Sequence, residues 1–410
     1  MPGIAAVPDK NAENRRRINK TTGGKHNTSE PLTDRKHWGK IDITFTFIIM
    51  ILIVFGVIMM YSAGYAWAID ENLEGDYYFK RQAGFALAGL AGMFVVSCID
   101  YHKYNHPLFV FGAFVFTSVL MVLCVYGPFA REHNYARRWI KLPVIPEFQA
   151  SELMKLAIIL LFAYIISRNY SRMHKFSYGV IPFGAILAIV LGLLHLQPHY
   201  SAAIIICAIG AAMMLVGGTK FKHLAIVGLI GAAGLAFLMR DTMAGGADYI
   251  RERFISYFEP FSEEYPAETW QIRNSLIAIG SGGWFGLGLG NSRQKFLYLP
   301  ESKNDFVFAI VCEELGFMGA LTIIILFLLF ILRGFYIAVN APDKFGMMLA
   351  VGLTFQIGLQ AMLNIAVVSN AVPCTGISLP FFSYGGTALV LQLLQMGIIL
   401  NISRQSLKKK

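Results

Sequence analysis

The chain has 410 residues, of which 56% are hydrophobic and 15% are charged, and its mean hydropathy is +0.55. Soluble domains carry about 25% charged residues. A soluble protein of this size could not bury so much apolar surface, so the composition indicates a polytopic membrane protein. The net charge of +10 is typical of the Lys and Arg excess in cytoplasmic loops and predicts no nucleic-acid partner.

Residues 1–40 form a polar segment with nine Lys or Arg residues and one aromatic side chain, Trp38. A segment of this composition cannot bury enough apolar surface to offset the entropy lost on ordering, so we predict a disordered basic cytoplasmic tail. The apolar run at 43–60 begins too late, and is too long, for the core of a secretory signal peptide.

From residue 42 onward the chain contains ten apolar stretches of roughly membrane-spanning length. They predict an all-α polytopic membrane protein with a ten-helix domain over 41–403 and a basic C-terminus at 404–410. A large loop, 240–304, separates the seventh and eighth helices, whereas the tight turn 197–199 joins the fifth and sixth. The predicted spans are 42–63, 83–99, 107–127, 151–167, 178–196, 200–217, 221–239, 305–332, 346–369 and 386–402.

The distribution of Lys and Arg predicts the orientation. With the N-terminus inside, the inner segments hold 21 of the 35 Lys and Arg residues, the outer segments hold 13, and Lys155 lies in a span. This asymmetry predicts a multi-pass protein of the cytoplasmic (inner) membrane with both termini in the cytoplasm. The outer cations concentrate at 128–150 and 240–304. Long loops are translocated across the membrane regardless of their charge. These cations are therefore either incidental or bind an anionic substrate such as a lipid pyrophosphate.

Residues 280–316 contain a loop with six glycines, a basic step at Arg293 and Lys295, and Asp305 directly before the apolar run that starts at Phe306. A carboxylate at the mouth of a membrane helix is costly unless it has a function or a partner. Asp305 is therefore a catalytic carboxylate or, together with Asn304, a candidate N-cap. The glycines follow no strand, so they indicate close packing or substrate contact rather than a dinucleotide site.

Three more ionisable residues lie inside predicted spans. Glu313 and Glu314 are about 12–14 Å deeper than Asp305 at 1.5 Å per residue, and we expect them to brace helix packing, with Lys155 as a candidate partner. Lys155 also has Glu152 at i−3, and either this carboxylate or a substrate phosphate could pair with it. Ser151 is the predicted N-cap of the same helix.

Two further outer stretches combine cations with aromatic residues. Residues 248–258 predict an amphipathic helix at the membrane interface, from which Arg251 and Arg253 could reach phosphates or pair with neighbouring acids and lipid headgroups. On the preceding outer loop, Arg138 is a second candidate ligand of phosphate. Trp139, beside it, is a candidate interfacial anchor.

Residues 373–386 hold two prolines and three glycines that interrupt an otherwise apolar run. Non-helical backbone is tolerated at membrane depth where it lines a cavity, and Ser383 and Tyr384 would offer hydroxyl groups there. Gln271 and Gln294, on the large outer loop, complete the polar side chains that we assign to substrate binding.

Together these stretches resemble the FtsW/RodA (SEDS) family of bacterial cell-wall glycosyltransferases, over nearly all of residues 40–403. The resemblance rests on Arg138-Trp139-Ile140, Phe148–Glu152 with Lys155, Gln197-Pro198, Ala278–Gly283, Gly286–Gly290 with Ser292, Gln294-Lys295, Tyr298–Glu301, Asn304–Phe308, Glu313–Gly316 and Leu379–Gly386. The chain departs from the family pattern at Ala150, where a proline is expected, and at His199, where many members have Asp. Lys303-Asn304 replaces the His-Thr common before the aspartate.

The resemblance implies ten membrane helices and polymerisation of lipid II into glycan strands on the outer face, with release of undecaprenyl pyrophosphate. It also implies a class B penicillin-binding protein as partner, beside other division or elongation proteins, and the basic tail favours the division branch. The presumed catalytic aspartate falls on Asp305, which would act as general base. Candidate cations for the pyrophosphate are Arg138, Lys155, Arg251, Arg253 and Lys295. No cofactor is evident, although a divalent cation could share this role.

Two other functions fit the same composition. A transporter that flips lipid II would use intramembrane charges as a pathway, but no inverted repeat is visible in the sequence. A non-enzymatic scaffold of the division machinery is the other class. The long, charged, glycine-rich outer loop favours an enzyme over both.

Overall fold

The computed structural model describes residues 39–128, 130–133, 136–141, 146–229 and 248–406. The predicted tail, apart from residues 39–40, and the segments 240–247 and 407–410 therefore lie outside the described residues. The helices are α1 Ile43–Asp70, α2 Tyr77–Ser97, α3 Pro107–Tyr126, α4 Ala150–Asn169, α5 Phe176–Gly179, α6 Ile181–Leu196, α7 Tyr200–Val216, α8 over 221–229, α9 Asp248–Phe258, α10 Pro266–Ser281, α11 Val307–Val339, α12 Lys344–Val368 and α13 Gly386–Gln405.

The predicted polytopic helical fold is confirmed. Seven helical stretches of the described chain are long and apolar enough to cross a membrane. They are Ile43–Asp70, Pro107–Tyr126, Ala150–Arg172, Phe176–Leu196, Val307–Val339, Lys344–Val368 and Gly386–Gln405. The other three predicted spans coincide with α7, which has 17 residues, with α2, and with α8 as far as residue 229. Lys80 and Arg81 in the first turn of α2 make that helix less apolar than the others.

The centre of the bundle lies along α4 and α12. In each of these helices 67% of the membrane-spanning stretch is buried, against 22% in α3. α12 packs against α4, α7, α11 and α13, and α13 packs against α2. Most of the membrane-spanning stretches of α4 and α12 therefore lie inside the protein, while α3 presents most of its surface to lipid.

Helix α1 is fixed at its N-terminus by Asp42. The Asp42 carboxylate accepts a hydrogen bond from the backbone N–H of Phe45 at 2.9 Å, as an N-cap. It also pairs with the Arg333 guanidinium at 2.7 Å, which ties α1 to the second half of α11. The rings of Phe45 and Phe330 stack at 5.1 Å beside this ion pair.

The length of α1 places the loop before Asp305 relative to the membrane. Ser62 lies about 30 Å along the helix from Asp42 at 1.5 Å per residue, which is about the thickness of the hydrocarbon core. Trp67 lies about 37 Å along, and its indole N–H donates to the Ser302 hydroxyl at 2.8 Å. The segment that carries Asp305 therefore lies just beyond the hydrocarbon core, on the side away from Asp42.

Helix α11 breaks at Gly316, whose φ of 67° and ψ of −166° are not helical. Such a break leaves backbone groups without helical partners, and the glycine-rich loop supplies those partners. The Leu287 N–H donates to the Glu313 carbonyl at 2.9 Å, and the Phe317 N–H donates to the Gly283 carbonyl at 2.8 Å. The loop and the broken helix therefore form one hydrogen-bonded unit.

Two glycines of this loop are required by close packing. A Cβ atom at Gly282 would overlap the Cys312 carbonyl, and one at Gly286 would overlap the Glu314 carbonyl. Gly286 also has a φ of 79°, which disfavours other residues. Of the two predicted interpretations of the glycine-rich loop, packing accounts for these positions.

The all-α prediction misses a small antiparallel sheet in the loop between α3 and α4. Its strands are β1 Ala130–His133, β2 Ala136–Ile140 and β3 Phe148–Gln149, in the order β1-β2-β3. Trp139 in β2 lies opposite Arg131 of β1 and Gln149 of β3. The sheet fixes the position of Arg138, the residue before Trp139, at the end of the bundle.

The predicted Ser151 N-cap is wrong. Helix α4 begins at Ala150, and Gln149 of β3 is the residue before it. The Ser151 hydroxyl is buried and has no hydrogen-bond partner among the residues that the structure describes. Because the strand runs directly into the helix, the chain enters α4 two residues earlier than a Ser151 cap would require.

Candidate active site

Asp305 is not an N-cap. Helix α11 begins at Val307, the preceding residue is Phe306, and no side chain caps its first turn. The Asp305 backbone is held by α12, since the Asn364 amide donates to the Asp305 carbonyl at 2.6 Å and to the Ile377 carbonyl at 2.7 Å. The half-buried carboxylate is therefore not used to start the helix, and the capping alternative is excluded.

The non-helical segment 369–385, between α12 and α13, lies against this carboxylate. Gly376 has a φ of 65°, and a Cβ atom there would lie 3.2 Å from Asp305 Oδ2. The Ser383 hydroxyl donates to the Asn304 carbonyl at 2.7 Å and accepts from the Leu379 N–H at 2.7 Å. The predicted interruption of the helix is confirmed, and it forms one wall of the Asp305 site.

Two arginines from separate segments bring positive charge to Asp305. Arg253 of α9 donates to the Cys374 carbonyl. Arg138 of β2 donates to the Pro198 carbonyl at 2.5 Å and to the Gln197 carbonyl at 3.3 Å. Both guanidinium groups lower the pKa of Asp305, although they do not outweigh its burial.

The pKa of Asp305 is raised to about 7, from an ordinary value of 3.8. Burial is the largest cause, because removal from water disfavours the charged form. The neighbouring Glu301 carboxylate raises the pKa further, whereas Arg253 and Arg138 lower it. A carboxylate with this pKa exchanges a proton near neutral pH, which is the property required of a general base.

Lys155 and Glu152 form a buried ion pair near Arg138. The Lys155 ammonium lies 2.7 Å from Glu152 Oε1, and its side chain is 2% exposed. The pKa of His199, in the α6–α7 turn, is lowered to about 3. Burial is the largest cause, and the positive charges of Arg138 and Lys155 lower the pKa further. The imidazole is therefore neutral, and the cluster around Arg138 extends to Lys155.

The expected pairing of Glu313 and Glu314 with Lys155 is wrong. Glu314 instead accepts from Lys295, whose ammonium lies 3.2 Å from Glu314 Oε1 and whose side chain is 4% exposed. The same ammonium donates to the Ser62 hydroxyl at 2.9 Å. Lys295 and Glu314 thus form an ion pair buried within the protein.

Glu313 is surrounded by the turn that follows the glycine-rich loop. Its carboxylate accepts from the backbone N–H groups of Arg293 at 2.9 Å and Gln294 at 3.3 Å, and from the Ser292 hydroxyl. Gln294 therefore contacts Glu313 through its backbone. Because α11 breaks at Gly316, the turn that follows the glycine-rich loop packs against both the Glu313 and the Glu314 carboxylates. A helical wheel drawn for an unbroken helix does not predict this arrangement.

The remaining predicted substrate-binding residues lie around this cluster. Gln271 of α10 donates to the Pro300 carbonyl at 3.4 Å, and the Cys374 thiol lies 3.9 Å from its amide oxygen. Arg251 is exposed on α9 and interacts with Tyr265. The pKa of the Tyr265 phenol is raised, chiefly by its hydrogen bond with Glu264, and Arg251 partly opposes this rise. Of these residues, Gln271 links two segments that flank Asp305.

The rings of Tyr384 and Tyr78 meet edge to face at 4.8 Å. Trp139 is half-buried in β2. Over the described ranges, no group of three or more His, Cys, Asp or Glu residues could hold a metal ion. The residues that the structure brings to Asp305 are Arg138 and Arg253 among those predicted, and Glu301, Asn364 and Gly376 among those missed.

This arrangement can carry acid–base chemistry at an anionic substrate. Asp305 can take a proton near neutral pH, and Arg138 and Arg253 can stabilise a negative charge that develops on a leaving group. Because the site lies just beyond the hydrocarbon core, a substrate anchored in the bilayer could present its polar head there.

Comparisons with known proteins show the family of this chain. The family model FTSW_RODA_SPOVE, described as "Cell cycle protein", matches residues 43–408. The relative named "Probable peptidoglycan glycosyltransferase FtsW" from Geobacter sp. (strain M18) is 37% identical over 365 residues, covering 88% of this chain and 96% of the relative. "Stage V sporulation protein E" from Bacillus subtilis (strain 168) is 37% identical over 373 residues, covering 89% and 97%.

Two solved structures share the fold. A chain of the structure described as "Structural coordination of polymerization and crosslinking by a peptidoglycan synthase complex" superposes with a TM-score of 0.73 at 25% identity, covering 91% of this chain and 100% of that chain. The "Rod shape determining protein RodA" of Thermus thermophilus superposes with a TM-score of 0.65 at 24% identity, covering 91% and 99%.

Proposed function

The chain belongs to the FtsW, RodA and SpoVE family, and we propose that it is a peptidoglycan glycosyltransferase that polymerises lipid II. The observation that carries this proposal is Asp305, a carboxylate not used as a helix cap, whose pKa is raised to about 7 by burial although the charges of Arg253 and Arg138 lower it. A helix cap or a scaffold would need no such titratable group.

In the proposed reaction, the C4 hydroxyl of one lipid-linked disaccharide attacks the anomeric carbon of another. A new C–O glycosidic bond forms, the bond from the anomeric carbon to the pyrophosphate oxygen breaks, and undecaprenyl pyrophosphate leaves. Asp305 takes the hydroxyl proton as general base. Arg138 and Arg253 stabilise the charge that grows on the pyrophosphate, and Lys155 adds positive charge near Arg138, since both cations act on His199.

We also propose the orientation and the partner. The Lys and Arg distribution favours cytoplasmic termini, and the Asp305 loop, beyond the far end of the hydrocarbon core, would then lie on the outer face. A class B penicillin-binding protein is the proposed partner, because a chain of a peptidoglycan synthase complex shares this fold. A role in cell division is supported by the cell-cycle family model and by relatives named FtsW.

The test is polymerisation by the purified protein. The detergent-solubilised chain, with and without a class B penicillin-binding protein from the same host, would be incubated with labelled lipid II. We expect glycan strands longer than the substrate with the partner present. The same preparation in vesicles would be assayed for lipid II flipping. Flipping without polymerisation would favour the transporter, and the absence of both would favour the scaffold.

The rate should depend on pH in the direction set by Asp305. Because the general base must be ionised, we expect kcat/KM for lipid II to fall about tenfold per pH unit below 7 and to level off above 8, since kcat/KM reports the free enzyme. His199, with a pKa of about 3, does not titrate in this range. The measurement is initial rates between pH 5.5 and 8.5. A flat profile between pH 6 and 8 would contradict Asp305 as the base.

A further inference from the structure

Lys303, two residues before Asp305, is a nearly buried cation with two hydrogen-bond partners. Its side-chain ammonium donates to the Tyr78 hydroxyl at 2.7 Å and lies 3.0 Å from Glu71 Oε1. The residue is 9% exposed. A buried ammonium is costly unless it is paired and hydrogen-bonded, and here both conditions are met by residues at the end of α1 and the start of α2.

Two aromatic rings enclose the same ammonium. Lys303 Nζ lies 3.9 Å from the centroid of the Tyr78 ring and 4.7 Å from that of the Trp67 ring, within the range of cation–π attraction. The Trp67 indole also donates to the hydroxyl of Ser302 at 2.8 Å. Trp67, Glu71, Tyr78 and Lys303, called here the Lys303 cluster, therefore fix residues 302–303 to the ends of α1 and α2.

The opposite side of this segment is held by the 369–385 segment. The Tyr384 N–H donates to the Lys303 carbonyl at 2.9 Å, and the Ser383 hydroxyl donates to the Asn304 carbonyl at 2.7 Å. The Tyr384 ring packs against Tyr78 of the cluster. The backbone leading to Asp305 is thus fixed from both sides. Among these contacts, those of the Lys303 cluster involve a charged side chain, whereas those of the 369–385 segment are hydrogen bonds to backbone carbonyls.

Glu71 should stay ionised across the pH range in which Asp305 titrates. Burial alone would raise the pKa of Glu71, but hydrogen bonds from Tyr78 and Lys303 and the charge of Lys303 outweigh it and lower the pKa. A carboxylate whose pKa is lowered on folding stabilises the folded state at pH values above its ordinary pKa of 4.5. This stabilisation is lost only as the pH falls through the lowered pKa. Titration of Glu71 would therefore not mimic a rate profile with a midpoint near pH 7.

We propose that Lys303 is a positioning residue that holds Asp305 in its reactive place through the contacts of the Lys303 cluster. The inference rests on the proposed function, since it assumes that Asp305 is the base. Lys303 acts through the backbone of residues 303–305 and not as a ligand of pyrophosphate, because Glu71 and Tyr78 take two of its three N–H donors and the Tyr78 and Trp67 rings lie against the ammonium. A displacement of about 1 Å at a reacting group can cost 10²-fold in rate.

The first test compares Lys303→Met with Lys80→Met. Lys80 also lies near the start of α2 and pairs with Glu74 and Asp76 at 2.8 and 2.9 Å, but it is 58% exposed and outside the cluster. In the lipid II assay with the partner protein, we expect Lys303→Met to lower kcat about 10–100-fold with KM within about twofold. Lys80→Met should change neither value by more than about twofold.

Two further variants examine the mechanism. Lys303→Arg keeps the charge and the contact with the aromatic rings, so it should retain at least about a fifth of the parent kcat. Glu71→Gln removes one charge but leaves the Tyr78 and Trp67 contacts, so we expect a fall of about three- to tenfold. Because both act on one cluster, the double variant Glu71→Gln/Lys303→Met should be no slower than Lys303→Met alone.

Hydrogen exchange separates this inference from the proposed function. Backbone exchange in residues 298–306 should be faster in Lys303→Met and unchanged in Lys80→Met, whether or not Asp305 is the base. Unchanged exchange together with normal kcat would overturn the inference. A raised KM at unchanged kcat would make Lys303 a substrate ligand and overturn it equally. If Lys303→Met does not fold, Glu71→Gln decides by the same readouts: a lower kcat with faster exchange supports the inference, and parental values overturn it.

Discussion

Replacing Asp305 with Asn is expected to give a folded, membrane-inserted protein that makes almost no glycan from lipid II. The amide has nearly the same size as the carboxyl group but cannot accept the hydroxyl proton, and loss of a general base typically costs about 10²–10⁴ in rate. Helix α11 should start unchanged, since no side chain caps its first turn. The measurement is polymerisation in detergent, where no membrane has to be crossed.

The stability of the same variant has a predictable sign. The pKa of Asp305 is raised to about 7 by burial and by Glu301. The folded state therefore holds the proton more tightly than the unfolded state, and the stability gained below the ordinary pKa is lost as the pH rises through 7. Asn stays neutral at every pH, so Asp305→Asn should unfold at the same or a higher temperature than the parent at pH 8.

Asp76→Asn provides the matched control. Asp76 lies on the same side of the membrane domain, pairs with Lys80 at the surface and caps no helix with its side chain. Surface pairs of this kind contribute about 0–1 kcal/mol, so the control should polymerise lipid II at nearly the parent rate. If Asp305→Asn also polymerised at nearly the parent rate, Asp305 would not be the base. The mechanism would then lack its proton acceptor.

The membrane spans could be predicted because they depend on a local property. An apolar stretch of about 20 residues must span the bilayer as a helix, whatever surrounds it, and α3 begins at Pro107 as predicted. The small sheet could not be found in this way. Strands β1 and β2 have four and five residues and include Arg131, Arg137 and Arg138, so no apolar alternation marks them.

The partners of the buried charges depend on tertiary structure and were therefore predicted less well. The sequence shows Glu313, Glu314, Lys155 and Lys295, but it does not show which of them meet. The break at Gly316 brings the turn after the glycine-rich loop over the glutamates, so Lys295 meets Glu314 and Lys155 is left to Glu152 at i−3. A local i,i+3 pair is recognisable from spacing, whereas a pair formed by a broken helix is not.

The candidate site shows the same division. Asp305 stands out because a carboxylate next to a membrane span is rare. Arg138 and Arg253 belong to a strand and a helix more than a hundred residues apart in sequence, and only the fold brings both to Asp305. Gly376 was not singled out, because its close approach to the carboxylate depends on the path of the 369–385 segment between α12 and α13.

Replacing Lys295 with Met should be the most destabilising of the substitutions considered. Glu314 is fully buried. Removal of its cation leaves a buried carboxylate whose remaining donors in the described part of the chain are the Ser62 hydroxyl at 2.5 Å and the Ser292 N–H at 3.1 Å. Breaking a buried ion pair by removing one partner typically costs about 3–5 kcal/mol. We therefore expect a clear fall in the thermal unfolding temperature of the detergent-solubilised protein, which would be measured beside Lys80→Met as the exposed control.

The double variant Lys295→Met/Glu314→Gln shows whether the pair is structural. Glutamine is neutral and can still accept from Ser62 and Ser292, so the double variant should recover most of the lost unfolding temperature. Below that temperature it should polymerise lipid II with a KM close to the parent value, because the Lys295 charge is neutralised by Glu314 within the protein. If Lys295→Met were instead as stable as the parent and had a raised KM, Lys295 would be a ligand of the pyrophosphate. The anion site would then extend from Arg138 and Arg253 to the glycine-rich loop.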